Sequence, residues 1–95
     1  MVTSIVLIHT ERGRTEETAE ALLNVPGVAE VYSVTGEYDL VAIVRVREHD
    51  ELAEVIADRL NKVDGVLSTT THIAFRAYSR HDLEAAFALG LEDGV

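Results

Sequence analysis

Residues 36–39, Gly-Glu-Tyr-Asp, lie between two β-prone stretches and have the groups needed to bind a small zwitterion. An α-amino group binds carboxylates and carbonyl oxygens, whereas an α-carboxylate binds N–H and hydroxyl donors. Asp39 and the exposed amides of the turn could supply both kinds of contact. A structural explanation is also open, in which Gly36 provides an unusual backbone angle and Asp39 caps amides at the start of a strand.

A run of hydroxyl side chains at residues 68–71, Ser-Thr-Thr-Thr, offers donors for a carboxylate on a second β-prone stretch. Threonine is also common in strands because its branched side chain suits a half-buried pleated surface. The sequence therefore leaves both a binding role and a structural role open for this run.

The sequence gives little support for metal binding or catalysis. The histidines, at positions 9, 49, 72 and 81, do not follow an HxxxH, HxH or HExxH spacing. No serine lies in a Gly-x-Ser-x-Gly motif, and no glycine run resembles a phosphate-binding loop. Most acidic residues fall on predicted helix faces, where solvated charge is the simplest interpretation. We predict no metal site, no cofactor and no enzymatic activity.

Length and composition indicate one small globular domain spanning residues 1–95. The chain is 47% hydrophobic and has no cysteine, which excludes disulfides and thiolate metal sites. Its apolar stretches are much shorter than the roughly 20 residues of a membrane span. The first residues resemble no secretory signal, so we expect a cytoplasmic protein that contacts no membrane.

The charge balance argues against nucleic-acid binding by this chain. It has 17 acidic and 8 basic residues, for a formal net charge of −9. Binding to nucleic acid depends on clustered Lys and Arg side chains that neutralise phosphates. The basic residues here are scattered along the chain, so we predict no direct contact with DNA.

Hydrophobic periodicity predicts six elements in the order β-α-β-β-α-β. Residues 2–9 form a strand, and Thr15 caps a helix that runs to about residue 24 and buries Ala19, Leu22 and Leu23. Residues 28–35 and 40–46 form a hairpin around the turn at 36–39. Val28, Glu30, Tyr32 and Val34 are predicted on one side of its first strand.

The second half repeats this pattern. A helix opening at residues 50–51 presents an apolar stripe of Leu52, Val55, Ile56, Leu60 and Val63. A strand covers residues 66–75, and a short C-terminal helix covers residues 80–91. Both helices pass through a glycine, Gly27 or Gly65, into the next strand. Two such halves predict an α+β ferredoxin-like fold with a four-stranded antiparallel sheet and two helices on one face.

The other face of this sheet should also be apolar, because every strand carries apolar residues on both sides. A face open to water would instead show polar residues at alternate positions. Two explanations remain open: a second copy packs sheet against sheet to make a dimeric α+β barrel, or the C-terminal segment folds back over the face.

The segment at residues 28–40, VAEVYSVTGEYDL, resembles the signature GV-x-x-x-x-x-VTG-x-[YF]-D-hydrophobic of the Lrp/AsnC effector domain. Asp64-Gly65-Val66 and the following Thr69-x-Thr71-x-Ile73 are similar to its second half. The resemblance spans residues 2–75. It implies the stand-alone effector form, or RAM domain (regulation of amino-acid metabolism), without the helix-turn-helix of the full-length regulators.

This resemblance implies an amino-acid-binding domain involved in transcriptional regulation of amino-acid metabolism. In the family, dimers associate into octamers or decamers, and effectors lie between neighbouring dimers. A full-length Lrp/AsnC regulator is an implied partner. The corresponding ligand-binding positions here are Gly36, Glu37, Tyr38, Asp39, Thr69, Thr71, Ile73 and Ala74. His72 replaces an aromatic or polar residue common in the family, so the ligand preference could differ.

Three alternatives remain. The chain could be a structural oligomerisation partner that binds no ligand. It could be a small enzyme on the dimeric α+β barrel, although it has no tryptophan and its two asparagines, Asn24 and Asn61, fall at helix ends. An ACT-type regulatory domain has the same topology, but its glycine signature follows the first strand, whereas the match here lies on the central hairpin.

Overall fold

A computed structural model describes residues 1–78 and 80 of the chain. The described elements are β1 (Val2–Thr10), α1 (Thr15–Leu23), β2 (Val28–Ser33), β3 (Leu40–Val46), α2 (His49–Ala53) and β4 (Val66–Ala74). Beyond α2 the chain continues as a π-helix (Glu54–Arg59) and a 3-10 turn (Leu60–Lys62). The C-terminal helix expected at residues 80–91 lies outside the described residues except for residue 80.

The four strands form one antiparallel sheet in the order β2-β3-β1-β4. The two strands of the predicted hairpin are neighbours, and β1 joins them to β4. Consecutive residues of a strand point to opposite faces, so residues paired across strands share a face. The ferredoxin-like α+β fold predicted from the order of elements is confirmed.

The hydrophobic core lies between the helices and one face of the sheet, which we call the covered face. Its strand residues are the even-numbered ones of β1 and β3, including Val6, Ile8, Leu40 and Ala42. The helical segments contribute four fully or almost fully buried side chains: Leu22, Leu52, Val55 and Leu60. Burial of this apolar surface is the main term that holds the helices on the sheet.

Gly27 and Gly65 allow the helices to approach the strand starts closely. A methyl carbon added at Gly27 would lie 2.8 Å from Val55 Cγ2, and one added at Gly65 would overlap the Thr18 hydroxyl. Each glycine therefore precedes one strand and packs against the helical segment of the other half. The repeat seen in the sequence corresponds to two equivalent contacts in the fold.

The first helix differs from its prediction in two ways. Thr15 does not cap α1: Arg14 is the N-cap residue, and Thr15 Oγ1 is 2.8 Å from Thr10 Oγ1. Leu23, predicted as buried, is 51% exposed, whereas Thr18 is fully buried. The helix begins one residue earlier than the predicted cap implies, and the side that it turns towards the sheet carries Thr18 and Leu22.

Two other expectations fail at irregular backbone. The register of β2 shifts between Val28 and Glu30, so Val28 faces the same side as Val31, not Tyr32. β2 ends at Ser33, two residues before the predicted end, which lengthens the hairpin connection. The second helix was expected to be one regular helix, and its middle is a π-helix instead.

Candidate functional site

Asp39 makes three hydrogen bonds, two that anchor the hairpin connection to the end of β1 and one that closes the hairpin itself. Its amide donates to Ile8 O at 3.0 Å, and its carbonyl accepts from the Val34 amide at 3.1 Å. Its Oδ2 accepts the Thr10 amide at 2.9 Å. Asp39 thus caps a backbone amide, as the structural explanation predicted, but this amide lies at the end of β1, where its register with β4 shifts, and not at the start of a strand.

Gly36 adopts φ +104°, a left-handed backbone conformation that residues with a Cβ rarely adopt. A methyl carbon added there would meet no atom within 4 Å. Gly36 and Glu37 are both exposed, so the tip of the hairpin presents backbone and a carboxylate to solvent. The turn therefore has the exposed groups that the sequence predicted, and glycine is required for its backbone geometry.

Tyr38 connects the hairpin to β4 across the uncovered side of the sheet, which we call the open face. Its ring lies over His9, with centroids 4.6 Å apart and an interplanar angle of 31°. Its hydroxyl donates to Thr70 Oγ1 at 3.3 Å. The hairpin, β1 and β4 thus meet in one small polar cluster of Tyr38, His9 and Thr70.

Sequence reasoning missed His9 as a member of this cluster, and it included Thr70 only as part of the hydroxyl run at residues 68–71. His9 was interpreted as one of four scattered histidines, and only the neighbours of Thr70 were carried over from the family resemblance. The alternation of β1 could have indicated that His9 shares the open face with Ile5 and Leu7. Its contact with Tyr38 depends on how the connection folds back, which alternation does not reveal.

The β4 candidates separate onto two faces. Thr69, Thr71 and Ile73 pair with Ile8, Val6 and Ser4, so they lie on the covered-face side at the edge of the sheet. Thr69 Oγ1 donates to Asn61 Oδ1 at 2.9 Å. Ala74 pairs with Thr3 and lies on the open face.

The predicted residues do not form one pocket within a single chain. Ala74 is four residues beyond Thr70, the partner of Tyr38, which corresponds to about 13 Å along an extended strand. The hairpin residues therefore lie at one end of the sheet, and Ile73 and Ala74 lie near the other. Contacts from both groups to one small ligand would require a neighbouring copy.

The open face has an apolar centre and a polar corner. Ile5 is 37% exposed, and Leu7, Val41 and Ile43 beside it are partly exposed. At the corner, Glu30 accepts hydrogen bonds from the Tyr32 hydroxyl and, at 3.0 Å, from Arg45. The Tyr32 hydroxyl and then the Arg45 guanidinium hold the pKa of Glu30 below its ordinary value, so Glu30 stays charged.

Within residues 1–78 and 80, no three His, Asp or Glu side chains come together in a way that could hold a metal ion. No helix in the same part of the chain is long and apolar enough to cross a membrane.

Comparison with known protein families shows which family this chain belongs to. A family model described as the Lrp/AsnC ligand binding domain matches residues 3–83. The chain therefore belongs to the Lrp/AsnC ligand-binding domain family, as its central signature predicted. It is a regulatory effector domain of the type found in transcriptional regulators.

Curated relatives are HTH-type transcriptional regulators. An uncharacterised one from Pyrococcus horikoshii is 37% identical over 76 residues, which cover 77% of this chain and 51% of the relative. The regulator FL11 from Pyrococcus furiosus is 31% identical over 77 residues, covering 81% of this chain and 50% of that protein. The chain thus spans about half the length of these relatives.

Solved structures show the same fold. A protein from Thermus thermophilus has a TM-score of 0.77 and 48% identity, with 84% of this chain and all of that chain covered. The AsnC protein of E. coli has a TM-score of 0.76 at 24% identity, with 82% of this chain and 53% of that chain covered. A Neisseria meningitidis regulator in complex with L-Met has a TM-score of 0.73 at 15% identity, with 83% of this chain and 53% of that chain covered.

Proposed function

We propose that this chain is a non-catalytic module that binds an amino acid between its own copies and so regulates transcription of amino-acid metabolism. The observation that carries the proposal is the hairpin connection: Tyr38 reaches Thr70 across β1, next to Asp39 and an exposed turn. Membership of the ligand-binding domain family supports it. We further propose that the protein acts in the cytoplasm.

Self-association is the first step of the proposal. Ile5, Leu7, Val41 and Ile43 form an apolar centre that a second open face could bury. Removing such area from water contributes roughly 25 cal/mol per Å². Two chains packed in this way would form a dimeric α+β barrel, and dimers would associate further into an octamer or decamer.

The two edges of the sheet differ, and the difference indicates which edge strand a second copy would contact. β4 is nine residues long and contains neither proline nor a charged residue. β2 has six residues, carries Glu30, follows Pro26 and has an irregular register. Charges, irregularities and short length protect edge strands from pairing, and a long uncharged edge invites it. β4 is therefore the edge that we expect a second copy to contact.

Ligand recognition is the second step. The residues proposed to bind the ligand are Gly36, Glu37, Tyr38, Asp39, Thr69, Thr71, Ile73 and Ala74. The bond to Thr10 involves Asp39 Oδ2, so Oδ1 remains for an α-ammonium group. Hydroxyl and amide donors would bind the α-carboxylate. The L-Met complex of the Neisseria regulator is an example of this fold with a bound amino acid.

A ligand held between copies couples binding to assembly, because each bound molecule stabilises the associated state by mass action. At a free concentration about 100 times the dissociation constant, one site contributes about 2.7 kcal/mol. Several sites in a ring would therefore shift the oligomeric state substantially.

Calorimetric titration with each of the twenty amino acids, combined with light scattering, tests the proposal. Asp39→Asn keeps an oxygen for the Thr10 amide but removes the charge, so we expect binding to weaken about tenfold or more. Asp58→Asn, an exposed change on the second helical segment, is the control and should bind normally. Absence of heat with every amino acid, or unchanged binding by Asp39→Asn, would contradict the proposal.

A structural oligomerisation partner that binds no ligand is the second candidate. It is favoured by the fact that Gly36 and Asp39 already have structural roles, in the turn and at the Thr10 amide. This candidate predicts an assembly whose size and thermal stability do not respond to any amino acid. Light scattering with and without the amino-acid mixture separates the two candidates.

We also propose that this chain does not bind DNA directly and that a full-length Lrp/AsnC regulator provides the DNA contact. The net charge of −9 supports this proposal. Fluorescence anisotropy with labelled duplex DNA at low salt should show no binding by this chain alone. Salt-dependent binding that weakens steeply as ionic strength rises would contradict it.

A further inference from the structure

We propose that a cavity at the end of the open face opposite the hairpin binds a small organic carboxylate with an apolar body. The cavity has a volume of about 360 Å³, and two arginines, Arg45 and Arg76, line it. The rest of its lining is Met1, Thr3, Ala74, Phe75 and Ala77. Two of the chain's 8 basic residues thus converge on one small site in a strongly acidic protein.

The floor of the cavity is a row across three strands. Thr3 of β1 pairs with Arg45 of β3 on one side and with Ala74 of β4 on the other. Paired residues share a face of the sheet, so these three side chains stand next to one another on the open face, about 5 Å from strand to strand. A guanidinium, a hydroxyl and a methyl group are therefore presented together.

Arg45 is held in position by its neighbours. Its Nη1 donates to Glu30 Oε1 at 3.0 Å, and the Tyr32 hydroxyl donates to the other oxygen of the same carboxylate. A guanidinium has five N–H donors, so this ion pair leaves donors of Arg45 for a ligand. Since Glu30 occupies only one of its nitrogens, Arg45 is both oriented and available.

Arg76 supplies the second positive charge, from the segment that follows β4. Among residues 1–78 and 80, no carboxylate lies within ion-pair distance of it. Two guanidinium groups match the planar, bidentate geometry of a carboxylate. The anionic end of the ligand should therefore lie between Arg45 and Arg76, within reach of the Thr3 hydroxyl.

The remaining walls of the cavity favour a ligand with an apolar body. Ala74 and Ala77 are small and apolar, and Phe75 is 96% exposed, so its ring has room to fold over a bound molecule. An aromatic or branched body buried against these side chains adds affinity that inorganic phosphate cannot gain. The cavity therefore fits an amphipathic monocarboxylate better than a compact, highly charged anion.

This site differs from the proposed amino-acid site. Thr3 and His9 are six residues apart on β1, which corresponds to about 20 Å. Only Ala74 is common to the two proposals. The carboxylate site needs no ammonium group on its ligand and no contact with the hairpin, so it does not depend on the amino-acid site. It does require that a second copy packed on the open face leaves this end of the sheet uncovered.

Titration with 3-phenylpropionate, followed by calorimetry and by the amide NMR signals of Thr3 and Ala77, tests the inference. We expect saturable binding that moves both signals. Arg76→Gln keeps much of the length of the side chain but removes its charge, and should weaken binding about tenfold or more. Arg12→Gln removes a charge from the β1–α1 connection and is the matched control, for which we expect no change.

The inference would be overturned by absence of 3-phenylpropionate binding, by equal binding by Arg76→Gln, or by equal affinity for the uncharged 3-phenylpropanamide. Equal affinity for inorganic phosphate would overturn the proposed ligand class. If a second copy fills the cavity, binding disappears as chain concentration rises, and this also contradicts the inference. Asp39→Asn should bind 3-phenylpropionate normally, so failure of the amino-acid site is distinguishable.

Discussion

Replacing Gly65 by alanine perturbs the contact between the start of β4 and α1. Gly65 has φ +98°, and an added methyl carbon would overlap the Thr18 hydroxyl and lie 3.3 Å from Thr18 Cβ. The left-handed backbone costs about 1–2 kcal/mol for a residue with a Cβ. Overpacking against a fully buried side chain adds about 1–3 kcal/mol. We therefore expect Gly65→Ala to lower the free energy of unfolding by about 2–5 kcal/mol.

Gly13→Ala is the matched control. Gly13 has φ +80°, but a methyl carbon there would meet no atom within 4 Å. It therefore has the backbone cost without the overpacking, and we expect a loss of only about 1–2 kcal/mol. The difference between the two variants measures the packing of Gly65 on Thr18.

Urea unfolding followed by far-ultraviolet circular dichroism provides the measurement. All variants should be compared at one chain concentration, because the stability of an associating protein depends on it. Thr18→Ala in the Gly65→Ala background should recover the overpacking part, and a double-mutant cycle isolates it. If Gly65→Ala costs no more than Gly13→Ala, the close approach of α1 to β4 is refuted.

Further predictions concern charge and the core. The hydrogen bond and charge of Arg14 lower the pKa of Asp64. The contribution of this ion pair to stability is therefore present above about pH 4 and is lost as the pH falls further. Asp64→Asn should reduce the difference between urea unfolding curves measured at about pH 3 and about pH 7. Thr18→Val should raise the free energy of unfolding by about 1 kcal/mol in the same assay, since the buried Thr18 hydroxyl has no hydrogen-bond partner among the described residues; a lower value would contradict this. Leu22→Ala should cost about 2–5 kcal/mol, because Leu22 is fully buried in the core, and a loss under about 1 kcal/mol would be inconsistent with that position.

Most of the fold was predictable because its signals are local and agree with one another. The β-branched run of β3 predicted its bounds, and the apolar stripe of the second helical segment predicted the burial of Leu52, Val55 and Leu60. The predictions that failed concern details that are set by contacts between helices and strands. Leu23 is exposed and Thr18 buried because Gly65 packs against that side of α1.

The candidate site was predictable in its residue types but not in its arrangement. The signature at the hairpin identified Tyr38 and Asp39, and the structural explanation of Asp39 agrees with its bond to the Thr10 amide. The contact of Tyr38 with His9 and Thr70 joins residues that are far apart in the chain. No periodicity encodes it, because it depends on the path of an irregular connection.

The sequence by itself determined the order of strands and helices along the chain, the apolar centre of the open face and the family, since each follows from residue types at short spacing. Only the tertiary structure decided which predicted residues meet. It separates the hairpin from Ile73 and Ala74 by most of the length of β4, and it joins Arg45, Thr3 and Ala74 in one row. The physical reason is strand pairing: its register brings distant residues together through backbone hydrogen bonds, whereas side-chain patterns report only which face each residue occupies.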